Sequence, residues 1–316
     1  MKVAFWDNQL CERGSTTAMF DYALCNQSIL GNESFIFYDC NSRLNKPEII
    51  YMFKQNFEYV VGVSCFADVD DYLKELGIGV IYIIKSGPKD DKISTVAKNC
   101  IHCVFNCNEP HGDVYASVSP WVEGNGGKCP VVPHMINLPS FNGDLRSALG
   151  IPSGAVVIGG YGGPKQFNIT WVQRTIRKVA KLRGSKIYFL FANFVPFDQG
   201  IENIKFLPAI YDRKRKVEFI NTCDAMIHAC SMGETFGLAI AEFSSCNKPV
   251  FATKFGNTMA HVELLGSKGI WYYKNTLMEL LMNFIPDPLQ DYNAYKDYSP
   301  EKVMTIFKEV FLDGDV

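Results

Sequence analysis

No stretch of the chain is apolar for long enough to cross a bilayer. The longest candidate, around Ile187 to Phe197, falls well short of the roughly 20 residues a spanning helix needs. A strong charge of either sign is also missing. The 31 basic and 33 acidic residues leave a net charge of −2, which offers no field to nucleic acid or to an anionic membrane surface. No signal peptide precedes the first apolar run, Lys2–Trp6, so a cytoplasmic location is expected, with room only for peripheral membrane contact. Paired zinc knuckles are absent too. Cys100, Cys103, Cys107 and His111 form a single cluster, and a strand over 101–105 would turn Cys100 and Cys103 to opposite faces, so no metal is expected. Eleven cysteines, an odd number spread through apparent strands and helices, suit reduced thiols better than a disulfide framework.

What is present is the composition of an ordinary globular protein, 47% apolar over 316 residues, which is comfortable for two domains. Short apolar runs alternate with helical stretches. Lys2–Trp6, Ser34–Tyr38, Tyr59–Ser64, Val80–Lys85 and Ile101–Phe105 read as strands of the first half, with Pro130–His134 as its last. Ala155–Ile158, Ile187–Phe191, Ile204–Leu207, Ala225–Ala229 and Lys248–Thr253 continue the series. Such alternation predicts parallel, doubly wound sheets, whose ligands bind at the carboxyl ends of the strands. Ser299-Pro300-Glu301 is a helix start, a cap followed by Pro in the first turn, and Val303, Ile306, Phe307, Val310 and Phe311 make an apolar stripe behind it.

The stretch from Gly233 to Glu242 organises the rest. It reads G-E-T-F-G-L-A-I-A-E between two strand candidates. Phe236, Ala239, Ile240 and Phe243 share one helical face, Glu242 lies to its side and Glu234 precedes the first turn. The helix N-terminus turns its amides and the positive end of its dipole toward the loop, where anions collect. Two carboxylates so spaced can hold hydroxyls at two places along an extended, sugar-containing ligand. The plainer reading makes Glu234 a cap and Glu242 a solvated flank residue.

Glu234 and Glu242, with the small residues between them and Asn247-Lys248-Pro249-Val250 after them, resemble the E-x7-E motif of retaining glycosyltransferases of the GT-B fold, family-4 type. The resemblance covers roughly residues 145 to 272 well and the first half in outline. It implies an α/β fold of two Rossmann-like doubly wound domains facing a cleft, with a C-terminal helix returning to the first. The expected boundaries are 1–140, 141–298 and 299–316. It implies a nucleotide-diphosphate sugar as donor, a glycan or glycoconjugate acceptor, a hexosyl or pentosyl transfer, and no cofactor or metal. Glu234 would contact the transferred sugar and Glu242 the ribose, while the amides around Thr235, Phe236, Gly237 and Leu238 would meet the phosphates. Gly256, in the loop after the next strand, would lie near the donor.

The glycine-rich turn at Gly159-Gly160-Tyr161-Gly162-Gly163-Pro164-Lys165 lets backbone approach a phosphate. Lys165 falls where the resembled family has a lysine on the diphosphate. Gly160 falls where it has an arginine, and the missing arginine removes a contact worth roughly 1.5–3 kcal/mol. In the first half, Arg13, Gly14 and Ser15 form a loop ahead of a helix from Thr16, read either as an acceptor or phosphate contact or as a turn with a cap. His102, at a strand end where the family often places a histidine near the sugar, is a catalytic candidate, and His111 joins the acceptor-side candidates. The basic run Arg213–Lys216 reads as a solvated helix face. Two other classes stay open: a non-catalytic binder of nucleotide sugars or glycans, and a nucleotide-sugar epimerase.

Overall fold

The computed structural model describes residues 1–313, and the chain separates into two compact units. One holds residues 1–137 and the segment from Asp297 onward; the other holds Leu138–Lys296.

In the first unit the apolar runs form β1 (Lys2–Asp7), β2 (Glu33–Asp39), β3 (Tyr59–Val63), β4 (Val80–Lys85) and β5 (Lys98–Cys103), and β6 (Val114–Ser117) joins them. They make a parallel sheet in the order β3-β2-β1-β4-β5-β6. Helices α1 (Gly14–Ser28), α2 (Pro47–Asn56) and α3 (Val69–Leu76) connect the first four strands. One face of the sheet buries Ala4, Trp6, Phe35, Phe37, Ile81 and Ile83 against Val69 and Leu73 of α3.

In the second unit β7 (Val156–Tyr161), β8 (Ile187–Ala192), β9 (Ile204–Leu207), β10 (Ala225–Ile227), β12 (Val250–Ala252) and β14 (Gly269–Trp271) form a parallel sheet, ordered β14-β12-β10-β7-β8-β9. A two-residue pair, β11 (Gly233–Glu234) with β13 (Thr258–Met259), stands apart from it. Helices α4 (Thr170–Arg183), α5 (Arg213–Thr222), α6 (Leu238–Ser245), α7 (Ala260–Leu265) and α8 (Leu277–Asn283) complete the unit. On α4 the apolar positions Val172, Ile176, Val179 and Ala180 all enter the core with Ile158, Phe189 and Phe191, as their helical spacing requires.

The chain then returns to the first unit. Helix α9 (Pro300–Phe307) is capped by the Ser299 side chain, which accepts from the Lys302 amide. Phe307 packs among Phe5, Tyr22 and Tyr82 of the first sheet and its helix, and Phe311 lies against Tyr82 and His102. Among the described residues no helix is long and apolar enough to cross a membrane.

Three local expectations differ from the structure. Residues 130–134 form one isolated bridge, Ser117 with Val131, rather than a strand, because prolines at 130 and 133 withhold ladder donors. Gly14 and Ser15 belong to the first turn of α1, not to the loop before it. Strand β7 runs on through Gly159 and Gly160 to Tyr161, so these two glycines are strand residues.

Candidate functional site

The second sheet changes direction between β7 and β10. The chain builds β7, β8 and β9 outward on one side, then returns to place β10, β12 and β14 on the other. Loops leaving the carboxyl ends of two such strands diverge, and the crevice between them is the ordinary ligand site of a doubly wound sheet. The glycine turn Gly162–Lys165 leaves one of these ends, and the segment carrying Glu234 and α6 leaves the other.

Between β10 and α6 the backbone is shaped by glycine at two positions. Gly233 has φ of 76°, and a Cβ there would sit 1.9 Å from the carbonyl oxygen of Thr258. Gly237 precedes α6 with φ of 85°, a left-handed conformation that ends the loop and starts the helix. Of the predicted apolar face of α6, Phe236, Ile240 and Phe243 are buried and Ala239 is partly exposed. Phe236 therefore offers backbone rather than side chain to a ligand, its ring lying against Tyr295. Thr235 and Leu238 flank it, partly exposed at the mouth of the helix.

Glu234 is partly exposed, and its Oε1 lies 2.9 Å from His228 Nε2. His228 sits just past β10, its backbone carbonyl accepting from Tyr272 Oη at 2.5 Å. Behind it lies the ring of His261, 5.2 Å away centre to centre, with Nε2 3.0 Å from the Thr253 carbonyl. Burial, with the neighbouring His228 second, pushes His261 down to about 4, so it is neutral at ordinary pH. His228, Cys230 and Glu234 bring a nitrogen, a sulfur and an oxygen within 4.8 Å of one another. A zinc ion accepts donors of these three kinds, so the cluster can hold a metal as well as a sugar hydroxyl.

Glu242 is not a solvated flank residue. It is only 6% exposed, one oxygen held by Lys216 Nζ at 2.8 Å and the other accepting from Tyr161 Oη. Tyr161 ends β7, so this contact joins the end of β7 to α6, the helix that follows β10. Burial, and the Glu242 carboxylate next, hold the Tyr161 phenol far above its ordinary range, and it stays a donor. The basic run is corrected in the same place. Lys216 turns inward to the carboxylate, although Arg215 next to it pairs with Glu218 at the surface.

The glycine turn supplies one free cation. Lys165 is exposed and has no ion-pair partner among the described residues. The Gly163 amide is already taken by Gln166 Oε1 at 2.6 Å, and the Gly162 carbonyl by Asn193 Nδ2 at 2.8 Å. Gly160 is enclosed: a Cβ would lie 3.0 Å from the carbonyl oxygen of Ile227 on the adjacent strand, so glycine here answers to packing. Gly256 also answers to packing. Its Cβ would meet the backbone of Gly233 at 2.7 Å, so it lets two loops touch instead of facing a ligand.

The first-unit candidates are dispersed. Arg13 forms an ion pair with buried Asp7 at the end of β1, and Thr16 Oγ1 donates to the same carboxylate at 2.7 Å, so this arginine is engaged. Gly14 and Ser15 stand beside it at the start of α1. His111 accepts at Nε2 from Lys85 Nζ at 3.1 Å and donates from Nδ1 to the Glu109 carbonyl at 2.7 Å. That is the neutral form, which burial favours. His102 is wholly buried, its Nδ1 2.6 Å from Tyr82 Oη, and burial lowers it to about 4. It sits in an aromatic core with Tyr22, His134 and Phe311 and has no surface to offer a sugar.

Sequence reasoning found both glutamates and Lys165 but missed His228, Tyr161 and Lys216. An inward-turned tyrosine, a lysine within a basic run and a histidine six positions before Glu234 carry no local signal. Only the fold brings them to the carboxylates.

Residues 198–302, about a third of the chain, match the family Glycosyl transferases group 1, a span that includes both glutamates and excludes Gly160 and Lys165. No curated protein matches the sequence. Solved structures resemble it over nearly its whole length. A glycosyltransferase from Rickettsia africae aligns with a TM-score of 0.70 at 14% identity, covering 99% of each chain. Anabaena HepE, solved in complex with UDP-glucose, aligns at 0.68 and 15% identity over 98% of this chain and 95% of its own. WaaG, a glycosyltransferase involved in lipopolysaccharide biosynthesis, aligns at 0.65 and 13% over 99% and 100%. The fold, two Rossmann-like units each with a parallel sheet, is that of the GT-B glycosyltransferases.

Proposed function

We propose that the protein is a retaining glycosyltransferase of the family-4 type, which moves a sugar from a nucleotide-diphosphate donor to an acceptor hydroxyl. The observation that carries this reading is the placement of Glu234 and Glu242. Glu234 lies in the segment between β10 and α6, and Glu242 lies inside α6 against Tyr161, the last residue of β7, so both stand by the point where the second sheet reverses. The match over residues 198–302 supports it, and so does the UDP-glucose bound by the structurally similar Anabaena protein.

The chemistry asks for two things. Negative charge grows on the departing nucleotide diphosphate, and fixed positive potential must meet it. The amides opening α6 and the free Lys165 ammonium are the groups of this unit suited to that role. The sugar must also be held while its anomeric bond breaks. Glu234 accepts from its hydroxyls, and the His228 Nε2–H donates to the other side of the carboxylate and fixes its direction. Glu242 takes the ribose, and the Tyr161 and Lys216 contacts give way or are shared when the nucleoside enters. Attack by the acceptor on the face that the leaving group vacates would retain the anomeric configuration. Neither a cofactor nor a metal is needed for these steps.

The test is incubation with UDP-, GDP- and ADP-sugars and a panel of glycan acceptors, with the product anomer read by NMR. Transfer with retention, lost in Glu234→Gln, is expected; an inverted product would overturn the retaining assignment. The engaged oxygens of Glu242, together with the glycine at 160, favour a second reading, a non-catalytic binder of nucleotide sugars. Binding without turnover over the whole acceptor panel would select it.

A further inference from the structure

Three thiols of the first unit meet in one place. Cys103 ends β5, Cys107 lies in the loop that follows, and Cys129 lies beyond β6. The Cys107 sulfur is 2.9 Å from that of Cys103 and 3.2 Å from that of Cys129. Both separations are closer than two sulfur atoms rest when they merely touch. The backbone around them is fixed. The Cys107 amide donates to the Glu123 carbonyl at 2.7 Å, and the Cys129 amide to Asn125 Oδ1 at 3.2 Å. Asn125 in turn donates to Ser117 Oγ at 2.8 Å. Cys103 and Cys107 are buried, and Cys129 is partly exposed.

We infer that Cys107 is a shared disulfide partner, a site of oxidative modification that closes first with Cys129 and then exchanges to Cys103. A disulfide needs two sulfurs already at hand with little backbone movement, and here one sulfur has two such neighbours. A metal is the poorer occupant. Among the described residues the three sulfurs do not gather about one point as the donors of His228, Cys230 and Glu234 do. The two short sulfur contacts both run through Cys107.

The oxidant is a peroxide. The Cys129 sulfur attacks one peroxide oxygen, the O–O bond breaks, and the released hydroxide leaves as water with the thiol proton. The Cys129 sulfenic acid remains. The Cys107 sulfur then attacks the Cys129 sulfur, the S–O bond breaks, and the oxygen departs as a second water carrying the Cys107 proton. Two thiols have lost two electrons, and one hydrogen peroxide has become two waters. The Cys103 sulfur, in contact with Cys107, can next attack it and release Cys129 as a thiol, an exchange without net oxidation. Burial pushes Cys107 up to about 12 and Cys129 up to about 11. The reactive thiolate is scarce at neutral pH, and oxidation should speed up about tenfold per pH unit toward that range.

The experiment uses the whole chain, reduced, freed of reductant and treated with hydrogen peroxide at neutral and at raised pH. It is then unfolded, alkylated and mapped by mass spectrometry. The inference expects Cys107 to escape alkylation in a peptide cross-linked to Cys129, with a later population cross-linked to Cys103. Cys103→Ser should keep the first cross-link, and Cys107→Ser should abolish both. The mapping of the unaltered chain stands without either variant. The inference is overturned if Cys107 stays alkylatable while Cys129 is oxidised to the sulfinic acid. It is equally overturned if the only cross-links join the exposed Cys40 and Cys65, or if a chelator and no oxidant controls access to Cys107.

Discussion

Glu242 and Lys216 are nearly dehydrated together, with side chains 7% and 14% exposed and 2.8 Å between the charged atoms. Each offsets the desolvation of the other, and Tyr161 satisfies the second carboxylate oxygen. Glu242→Ala strands the lysine and should cost about 3–5 kcal/mol of stability in urea unfolding. Adding Lys216→Met should recover most of that loss, whereas a pair that acts only as a surface bridge would show little coupling in the same cycle. The site was half legible for a related reason. The eight-residue separation of the glutamates and the apolar phase of the helix between them are local facts, and local facts survive in a sequence. The partners of those glutamates come from the end of β7, from α5 and from just past β10. Tyr161 and Lys216 lie 81 and 26 residues from Glu242, too far to leave a spacing to read, and His228, six residues before Glu234, is a lone histidine whose direction only the fold sets.

Strands were legible where they are buried over their length, as Val80–Lys85 and Ile187–Ala192 show. Missed were β6 and β14 and the glycine end of β7. Strands β6 and β14 lie at sheet edges and are partly exposed, so neither has a continuous apolar run. Gly159 and Gly160 read as a turn, since glycine usually punctuates a strand. In the fold they are strand residues pressed by neighbours: a Cβ on Gly159 would meet Cys223 Sγ at 2.4 Å, and one on Gly160 the Ile227 carbonyl at 3.0 Å. This decides what the absent arginine means. Gly160→Arg should not add a phosphate contact. It should lower the melting temperature of the second unit and leave nucleotide affinity unchanged or weaker; tighter nucleotide binding in a calorimetric titration would contradict that account.

At the scale of the molecule, each unit keeps a neutral histidine in its core. Burial lowers His102 of the first and His261 of the second to about 4, from an ordinary value near 6.5. Each binds its proton less readily folded than unfolded. Their contribution is therefore whole above about pH 6.5, falls as the pH drops, and is fully lost near pH 4, with up to about 3 kcal/mol at stake for each. Unfolding followed between pH 7 and pH 4 should show this loss, and His102→Phe should reduce it for the first unit, where burial lowers His134 as well; an unchanged slope would mean that His102 does not contribute. The central claim, that the second unit binds a nucleotide sugar through Glu242, is tested most directly by thermal unfolding against UDP, GDP and ADP, with Glu242→Gln alongside. The account predicts that one nucleotide raises the melting temperature, by an amount equivalent to about 2.7 kcal/mol at a hundred times its dissociation constant. It also predicts that Glu242→Gln, which keeps the size of the side chain, loses most of that rise. No response to any nucleotide, or an equal response from the unaltered chain and the variant, would contradict it.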